Sequence, residues 1–162
     1  MSAAVTPAVP RSAAGRTTLV LAVLGLAVSV YLTFEHYTQA TSFACPVNAT
    51  FDCVKVTTSK WAVIAGVPVA VLGLVFFVAM TVLSFAAGRL AATLRVAAAV
   101  VGVVMILWLV YVELFQVESL CLWCTGVHVL TLALLGTTLW WRETERNHPT
   151  TTATRRPAAR GA

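Results

Sequence analysis

Two pairs of cysteines are the residues of this chain whose type and spacing point to chemistry. Cys121 and Cys124 form a Cys-x-x-Cys pair at the start of an apolar segment, and Cys45 and Cys53 lie in an earlier polar stretch. Thiols at positions i and i+3 share the first turn of a helix, where unpaired backbone N–H groups and the helix dipole favour a thiolate. Since the thiolate is the form that attacks disulfides, the spacing favours thiol-disulfide exchange. A structural disulfide or two buried small side chains would use the same residues.

A histidine extends the second pair into a longer face. Cys121, Cys124, His128 and Thr131 follow one another at helical spacing, so they share one side of a predicted helix. An apolar pocket against that side could hold a quinone ring, with His128 donating a hydrogen bond to a ring oxygen. The alternative for His128 is a histidine satisfied inside the bundle, but ionisable residues within membrane segments are functional by default. Thr131 is interpreted as a helix-packing hydroxyl.

Composition places these residues in a membrane protein. The chain has 162 residues, of which 59% are hydrophobic and 10% charged, and a small soluble domain cannot bury so much apolar surface. Apolar runs long enough to approach the span of about 30 Å of hydrocarbon occur in four places. The sequence therefore predicts an all-α membrane protein, a four-transmembrane-helix bundle, with segments at Thr18–Phe34, Trp61–Phe85, Val96–Val112 (or to Phe115) and Cys121–Trp141.

The polar stretches divide the chain into a membrane domain, 18–141, and two tails, 1–17 and 142–162, that we expect to be disordered and basic. The long loop from Glu35 to Lys60 joins the first two segments. Glu113 and Glu118 end the third segment and are expected to be solvated near the interface, with proton uptake by one of them as the alternative. A cleaved signal peptide fits the first segment less well, because its apolar run is long for such a leader.

Arginine and lysine indicate the orientation. The tails and the second connection carry nine of the eleven basic residues, whereas Lys55 and Lys60 alone lie on the opposite side. The positive-inside rule predicts a multi-pass protein of the cell membrane with both termini in the cytoplasm. All four cysteines then face the extracytoplasmic side, where disulfides form and persist.

Four cysteines allow three pairings, and the spacing does not choose among them. Cys45 and Cys53 lie on a loop that a soluble protein could reach, whereas Cys121 and Cys124 lie where a lipid-soluble molecule could reach. This arrangement suits an electron relay. The spacing of Cys45 and Cys53 does not match a zinc knuckle, so no metal is expected.

The ordered set of motifs resembles the vitamin K epoxide reductase family, specifically its bacterial members. The set consists of Cys45-x7-Cys53, V-K-V-T-T-S-K-W at Val54–Trp61, G-V-P-V-A-V-L-G at Gly66–Gly73 and C-L-W-C-T-G-V-H at Cys121–His128. Another group of four-helix bacterial disulfide oxidases has the Cys-x-x-Cys first and the widely spaced pair second. The order in this chain is the reverse.

The resemblance implies a four-helix bundle around a quinone of the menaquinone or ubiquinone type. It also implies that Cys124 is the cysteine beside the quinone and that Cys121 is its disulfide partner. Cys53 would exchange with Cys121, and Cys45 would exchange with a thioredoxin-like extracytoplasmic protein. The implied activity is quinone-dependent thiol oxidation that drives disulfide formation in exported proteins. Because no thioredoxin-like domain follows the last segment, the partner is expected to be a separate protein.

The resemblance further assigns candidate quinone contacts. Ser59 and Trp61 match an element that flanks the quinone end of the second helix, and His128 occupies the place of a polar or aromatic quinone contact. The chain departs from many relatives at Val69, where they carry an asparagine that can donate a hydrogen bond. Two other functions remain open from the residues alone: a small transporter, and a non-enzymatic membrane protein with structural disulfides. The first would need an ionisable residue deep in a segment, and the second leaves the Cys-x-x-Cys pair unexplained.

Overall fold

A computed structural model of the chain describes Pro10, residues 12–38, Cys45, Asn48 and residues 50–147. The described part is mainly helical. A 3₁₀ turn (Lys60–Ala62) and a short hairpin of β1 (Val63–Ile64) and β2 (Val67–Pro68) precede α3, and a π-helical turn (Glu113–Val117) follows α4. The helices are α1 (Ala13–Thr38), α2 (Cys53–Thr57), α3 (Val69–Phe85), α4 (Arg89–Val112) and α5 (Leu122–Asn147).

Three of the predicted segments lie in helices that are long and apolar enough to cross a membrane. They are α1, α4 together with its π-helical turn, and α5. The remaining segment forms α3, which is apolar but has only 17 residues. Its expected start at Trp61 is wrong, because residues 60–68 form the 3₁₀ turn and the hairpin instead.

The hairpin has a local cause. Ala65 and Gly66 both have positive φ angles, 51° and 83°, as a two-residue hairpin turn of this hand requires. Pro68 then precedes the first turn of α3, where its missing N–H costs no helical hydrogen bond. These residues delay the helix and keep Trp61 in the connection that leads into the bundle.

The helices extend further than the apolar runs predict. α1 begins at Ala13 rather than Thr18, and its first turn is capped by the Ser12 hydroxyl, which accepts the Gly15 N–H at 3.1 Å. α4 begins at Arg89, and α5 continues past Trp141 to Asn147. Residues 13–17 and 142–147, which were predicted to be disordered, therefore belong to helices. The prediction failed there because hydropathy indicates which residues lie in the hydrocarbon layer and not where a helix ends. Residues 1–9, 11 and 148–162 of the predicted tails lie outside the described residues.

Small residues let the helices pack closely. α1 packs against α3 and α5, and α4 packs against the same two helices. The buried side of α1 is rich in Gly, Ala, Ser and Thr, as is usual between membrane helices. The Phe77 ring lies so close to Gly25 that a Cβ there would overlap it, and Phe76 approaches Gly102 in the same way. The core between these helices consists of Ala22, Phe77, Met80, Ala99 and Leu134.

A buried arginine joins three helices at the end of the bundle where α1 begins and α5 ends. Arg95 is 2% exposed; its guanidinium donates to the carbonyls of Leu83 and Ala86 at 3.1 and 2.9 Å and pairs with Glu145 at 3.3 Å. It also lies over the Trp141 ring, 3.7 Å from the centroid. These contacts satisfy carbonyls at the C-terminal end of α3 and join it to α4 and α5. The cysteines lie at the opposite end of the helices.

Candidate functional site

The Cys-x-x-Cys pair lies at the N-terminus of α5. Cys121 is the residue before the helix, and its Sγ accepts the backbone N–H of Cys124 at 3.3 Å, as an N-cap side chain does. A hydrogen bond from the Cys124 thiol lowers the pKa of Cys121 below its ordinary value, against the effect of burial. Both residues are free thiols; Cys121 is fully buried and Cys124 is half-buried. Cys124 thus lies in the first turn of α5 as predicted, and Cys121 lies at the N-cap just before it.

The other two cysteines form a disulfide. Cys45 is bonded to Cys53, and their Cα atoms are 6.2 Å apart. Cys53 is 1% exposed and begins α2, where the Asp52 side chain caps the helix by accepting the Lys55 N–H at 2.9 Å. Of the three pairings that the sequence left open, the structure contains this one, with Cys121 and Cys124 reduced.

Backbone pairing brings the two cysteine pairs to neighbouring segments. Phe51 and Leu120 form a parallel bridge. The Leu120 N–H donates to the Thr50 carbonyl at 2.9 Å, and the Asp52 N–H donates to the Leu120 carbonyl at 3.1 Å. The Lys55 ammonium adds a hydrogen bond to the Ser119 hydroxyl at 3.0 Å. The segment that leads into Cys53 is thus held against the segment that leads into Cys121.

A cavity of about 340 Å³ opens beside this site. Its walls come from α1, α2, α3, α4 and α5 and are mostly apolar, with few polar groups. Cys124 lies on the wall, whereas Cys121 does not contribute to it. Sites for small cofactors have this size and this apolar character with a few placed polar groups, so the cavity fits a quinone ring.

The three predicted quinone contacts all line the cavity. His128 lies one turn deeper than Cys124 in α5 and is 7% exposed. The Ser59 hydroxyl donates to the Val56 carbonyl at 2.8 Å, so it must rotate before it can donate to a ligand. Trp61 packs edge-on against Trp108, with 6.1 Å between ring centroids. Val69 also lines the cavity, and its aliphatic side chain donates no hydrogen bond there.

Glu113 corrects one expectation. We expected it to be solvated at the interface, but it is 4% exposed, lines the cavity and faces the Cys121 backbone N–H and the Cys124 thiol. Glu118 is exposed as expected. The sequence did contain a signal for a buried acid, because apolar residues flank Glu113 on both sides. That signal was missed because the predicted helix ended near Val112, which placed Glu113 at the water interface. The π-helical turn continues the helix and turns Glu113 inward.

Comparison with protein families identifies the scaffold. The model of the vitamin K epoxide reductase family matches residues 16–139 of the 162-residue chain. The chain belongs to the vitamin K epoxide reductase family. This is a family of membrane-embedded helical oxidoreductases that use a quinone, so the resemblance noted from the motifs is confirmed. No curated protein matches the chain in a sequence search. Within the described ranges, no group of three or more His, Cys, Asp or Glu residues is arranged to hold a metal ion.

Proposed function

We propose that this protein is a quinone-dependent thiol oxidoreductase that oxidises a separate thioredoxin-like extracytoplasmic protein and so drives disulfide formation in exported proteins. One observation carries the proposal. Cys124 opens onto an apolar cavity, whereas Cys121, three residues earlier, abuts the segment that carries Cys53. A cysteine pair with two such sides can receive electrons from a protein on one side while it is a disulfide and release them to a small acceptor on the other once it is a dithiol.

The cysteines then have separate roles. A reduced partner attacks Cys45, which opens the Cys45–Cys53 disulfide, and the freed Cys53 thiolate attacks Cys121 of an oxidised Cys121–Cys124 pair. The second thiol of the partner attacks the partner–Cys45 mixed disulfide, which releases the partner in its oxidised form and frees Cys45. Cys45 then attacks Cys53 and restores the Cys45–Cys53 disulfide, which leaves Cys121 and Cys124 as thiols. This reduced state of the second pair is the one in the structure. A bound quinone would accept two electrons and two protons from that dithiol. His128 would hold the quinone in the cavity, and Ser59 and Trp61 would flank it.

We further propose that α3 is a fourth membrane segment. At 17 residues it is about 26 Å long, short of the hydrocarbon thickness of about 30 Å, but it packs between α1 and α4 and is continuous with the hairpin at its start. Four antiparallel segments account for both helical termini lying at the end that holds Arg95. The distribution of basic residues supports a cytoplasmic location for that end.

The central assay combines the purified protein, a soluble quinone and a thioredoxin-like dithiol protein in detergent. We expect Cys124→Ala to abolish quinone-dependent oxidation of the dithiol, because the released electrons have no route to the cavity. Val129→Ala, an exposed position on the same helix, is the control and should retain activity. Activity that survives in Cys124→Ala would refute the assigned role.

The transfer between pairs has its own test. A protein with both Cys45→Ala and Cys124→Ala keeps Cys53 and Cys121, which should trap each other as a disulfide under mild oxidation. The matched protein with Cys53→Ala and Cys124→Ala keeps Cys45 and Cys121 and should cross-link far less. Peptide mapping by mass spectrometry under non-reducing conditions distinguishes the two. Equal cross-linking in both proteins would contradict a direct step between Cys53 and Cys121.

His128 can be separated from the relay. We expect His128→Ala to weaken the apparent affinity for quinone by about tenfold, as the loss of about 1.4 kcal/mol from one hydrogen bond would. The Cys53–Cys121 cross-link should form as before in this variant. An unchanged quinone affinity would reduce His128 to a packing residue.

A further inference from the structure

Glu113 is the titratable group that the relay leaves without a role. It begins the π-helical turn at the end of α4 and is 4% exposed, with its side chain at the cavity wall. Its backbone carbonyl accepts the N–H groups of Glu118 and Ser119, the latter at 3.2 Å. These bonds fold the chain into a compact turn. The turn brings Glu113 close in space to Cys121, which lies eight residues later in the sequence.

The contacts of the carboxyl group select one thiol. It lies beside the backbone N–H of Cys121 and the thiol of Cys124, and Glu113 and Cys124 line the same cavity. The Cys121 sulfur already accepts the Cys124 N–H and is buried away from the cavity. Glu113 therefore lies beside the reacting sulfur at the cavity wall, whereas the other sulfur caps α5.

We propose, on the basis of the proposed function, that Glu113 is the catalytic base that takes the proton from the Cys124 thiol when Cys124 reacts at the cavity. As the Cys121–Cys124 bond forms, two S–H bonds break and two electrons and two protons pass to a bound quinone, which leaves as hydroquinone. Glu113 holds the Cys124 proton during this exchange and returns to a carboxylate when the proton leaves. When the proton leaves, the electron pair of the Cys124 S–H bond stays on sulfur and makes it the nucleophile. The quinone is the oxidant that takes up the two electrons as the disulfide forms.

Other titratable groups around this end are less suited to the task. His36 of α1 and His128 of α5 line the same cavity, and Lys55 of α2 donates to Ser119. The Glu113 carboxyl itself lies beside Cys121 and Cys124. A carboxylate beside a thiol also disfavours a preformed thiolate. Proton removal during the attack, rather than before it, is the role that remains for such a group.

The test needs neither quinone nor partner. In the full chain with Cys45→Ala, Cys53→Ala and Cys121→Ser, Cys124 is the remaining thiol, and its rate of reaction with an apolar maleimide in detergent is measured against pH. With Glu113 present, the rate should level off once the carboxylate is formed. In Glu113→Gln it should be about 10- to 100-fold slower at neutral pH and rise with pH until the thiolate forms unaided, so that the difference disappears in alkali.

Two control variants make the outcome decisive. Glu118→Gln, an exposed acid five residues later, should react like the parent protein. Glu113→Asp keeps a carboxylate and should keep the shape of the pH profile at a lower rate. A rate ratio between parent and Glu113→Gln that does not change with pH, or a faster reaction of Glu113→Gln at neutral pH, would overturn the proposal. The Cys53–Cys121 cross-link and the quinone assay are separate measurements. A negative result for Glu113 would therefore not contradict the proposed electron transfer between the cysteine pairs.

Discussion

Cys121 and Cys124 are three residues apart but have different surroundings. Cys121 is fully buried and accepts hydrogen bonds from the backbone N–H and the thiol of Cys124, whereas Cys124 opens onto the cavity. The first sulfur is thus stabilised as a thiolate by the start of a helix, as cysteines at helix N-termini often are. The second is available to a ligand in the cavity.

This difference predicts a pH effect. In a background with Cys45→Ala and Cys53→Ala, Cys124→Ser keeps a hydrogen-bond donor beside Cys121, and Cys124→Ala removes it. Because the donor stabilises the charged sulfur, the pKa of Cys121 should be higher in the alanine variant, and its thiolate should appear at higher pH. An ultraviolet titration of the thiolate measures this. Superimposable titrations would mean that the backbone N–H alone sets the pKa.

At this scale the sequence predicted part of the site. Helical spacing placed Cys121, Cys124 and His128 on one side of α5, and the cavity contains the second and third of them. It did not predict that Glu113 would join them, because hydropathy identifies where an apolar run stops but not whether the next residue stays helical. The π-helical turn depends on hydrogen bonds from the N–H groups of residues 118 and 119 to the Glu113 carbonyl. No local sequence pattern predicts these bonds.

At the scale of elements, close helix packing depends on single glycines. Gly25→Ala should destabilise the bundle by about 1–3 kcal/mol, because the new methyl group overlaps the Phe77 ring between α1 and α3. Gly136→Ala in α5 is the matched control, since no atom lies within 4 Å of a Cβ built there. Thermal unfolding in detergent measures both. Equal midpoints for the two variants would show that α1 can shift away from Phe77 at little cost.

The elements also show where sequence reasoning succeeds and fails. Apolar runs predicted α1, α4 and α5, since length and hydropathy are strong signals for membrane helices. They misplaced the start of α3, although Gly66 and Pro68 were visible as residues that interrupt regular structure. In a membrane helix both residues are tolerated, so their presence alone did not distinguish a hairpin from a kinked helix. The outcome depended on the backbone angles at Ala65 and Gly66.

For the whole molecule, the pairing of residues 50–52 with residue 120 is what makes one site from two cysteine pairs. Such pairing joins segments that are far apart in sequence through their backbone groups. The pattern of side chains therefore does not predict which segments pair. The opposite end of the bundle is easier to anticipate, because basic residues cluster there. Arg95 adds a buried contact that the charge count did not predict.

That charge distribution predicts the orientation of the whole protein. In a cysteine-free background, Asn48→Cys places a thiol in the loop that normally carries the Cys45–Cys53 disulfide, and Asn147→Cys places one at the end of α5; both asparagines are exposed. If the basic end is cytoplasmic, a membrane-impermeant maleimide should label the first variant in intact cells and the second only after the membrane is permeabilised. Labelling of Asn147→Cys alone in intact cells would place the basic end outside, and labelling of both would contradict the three crossings proposed between residues 48 and 147. Because α3 is the segment whose length falls short, this experiment decides whether it crosses the membrane: without that crossing, residues 48 and 147 would share one side.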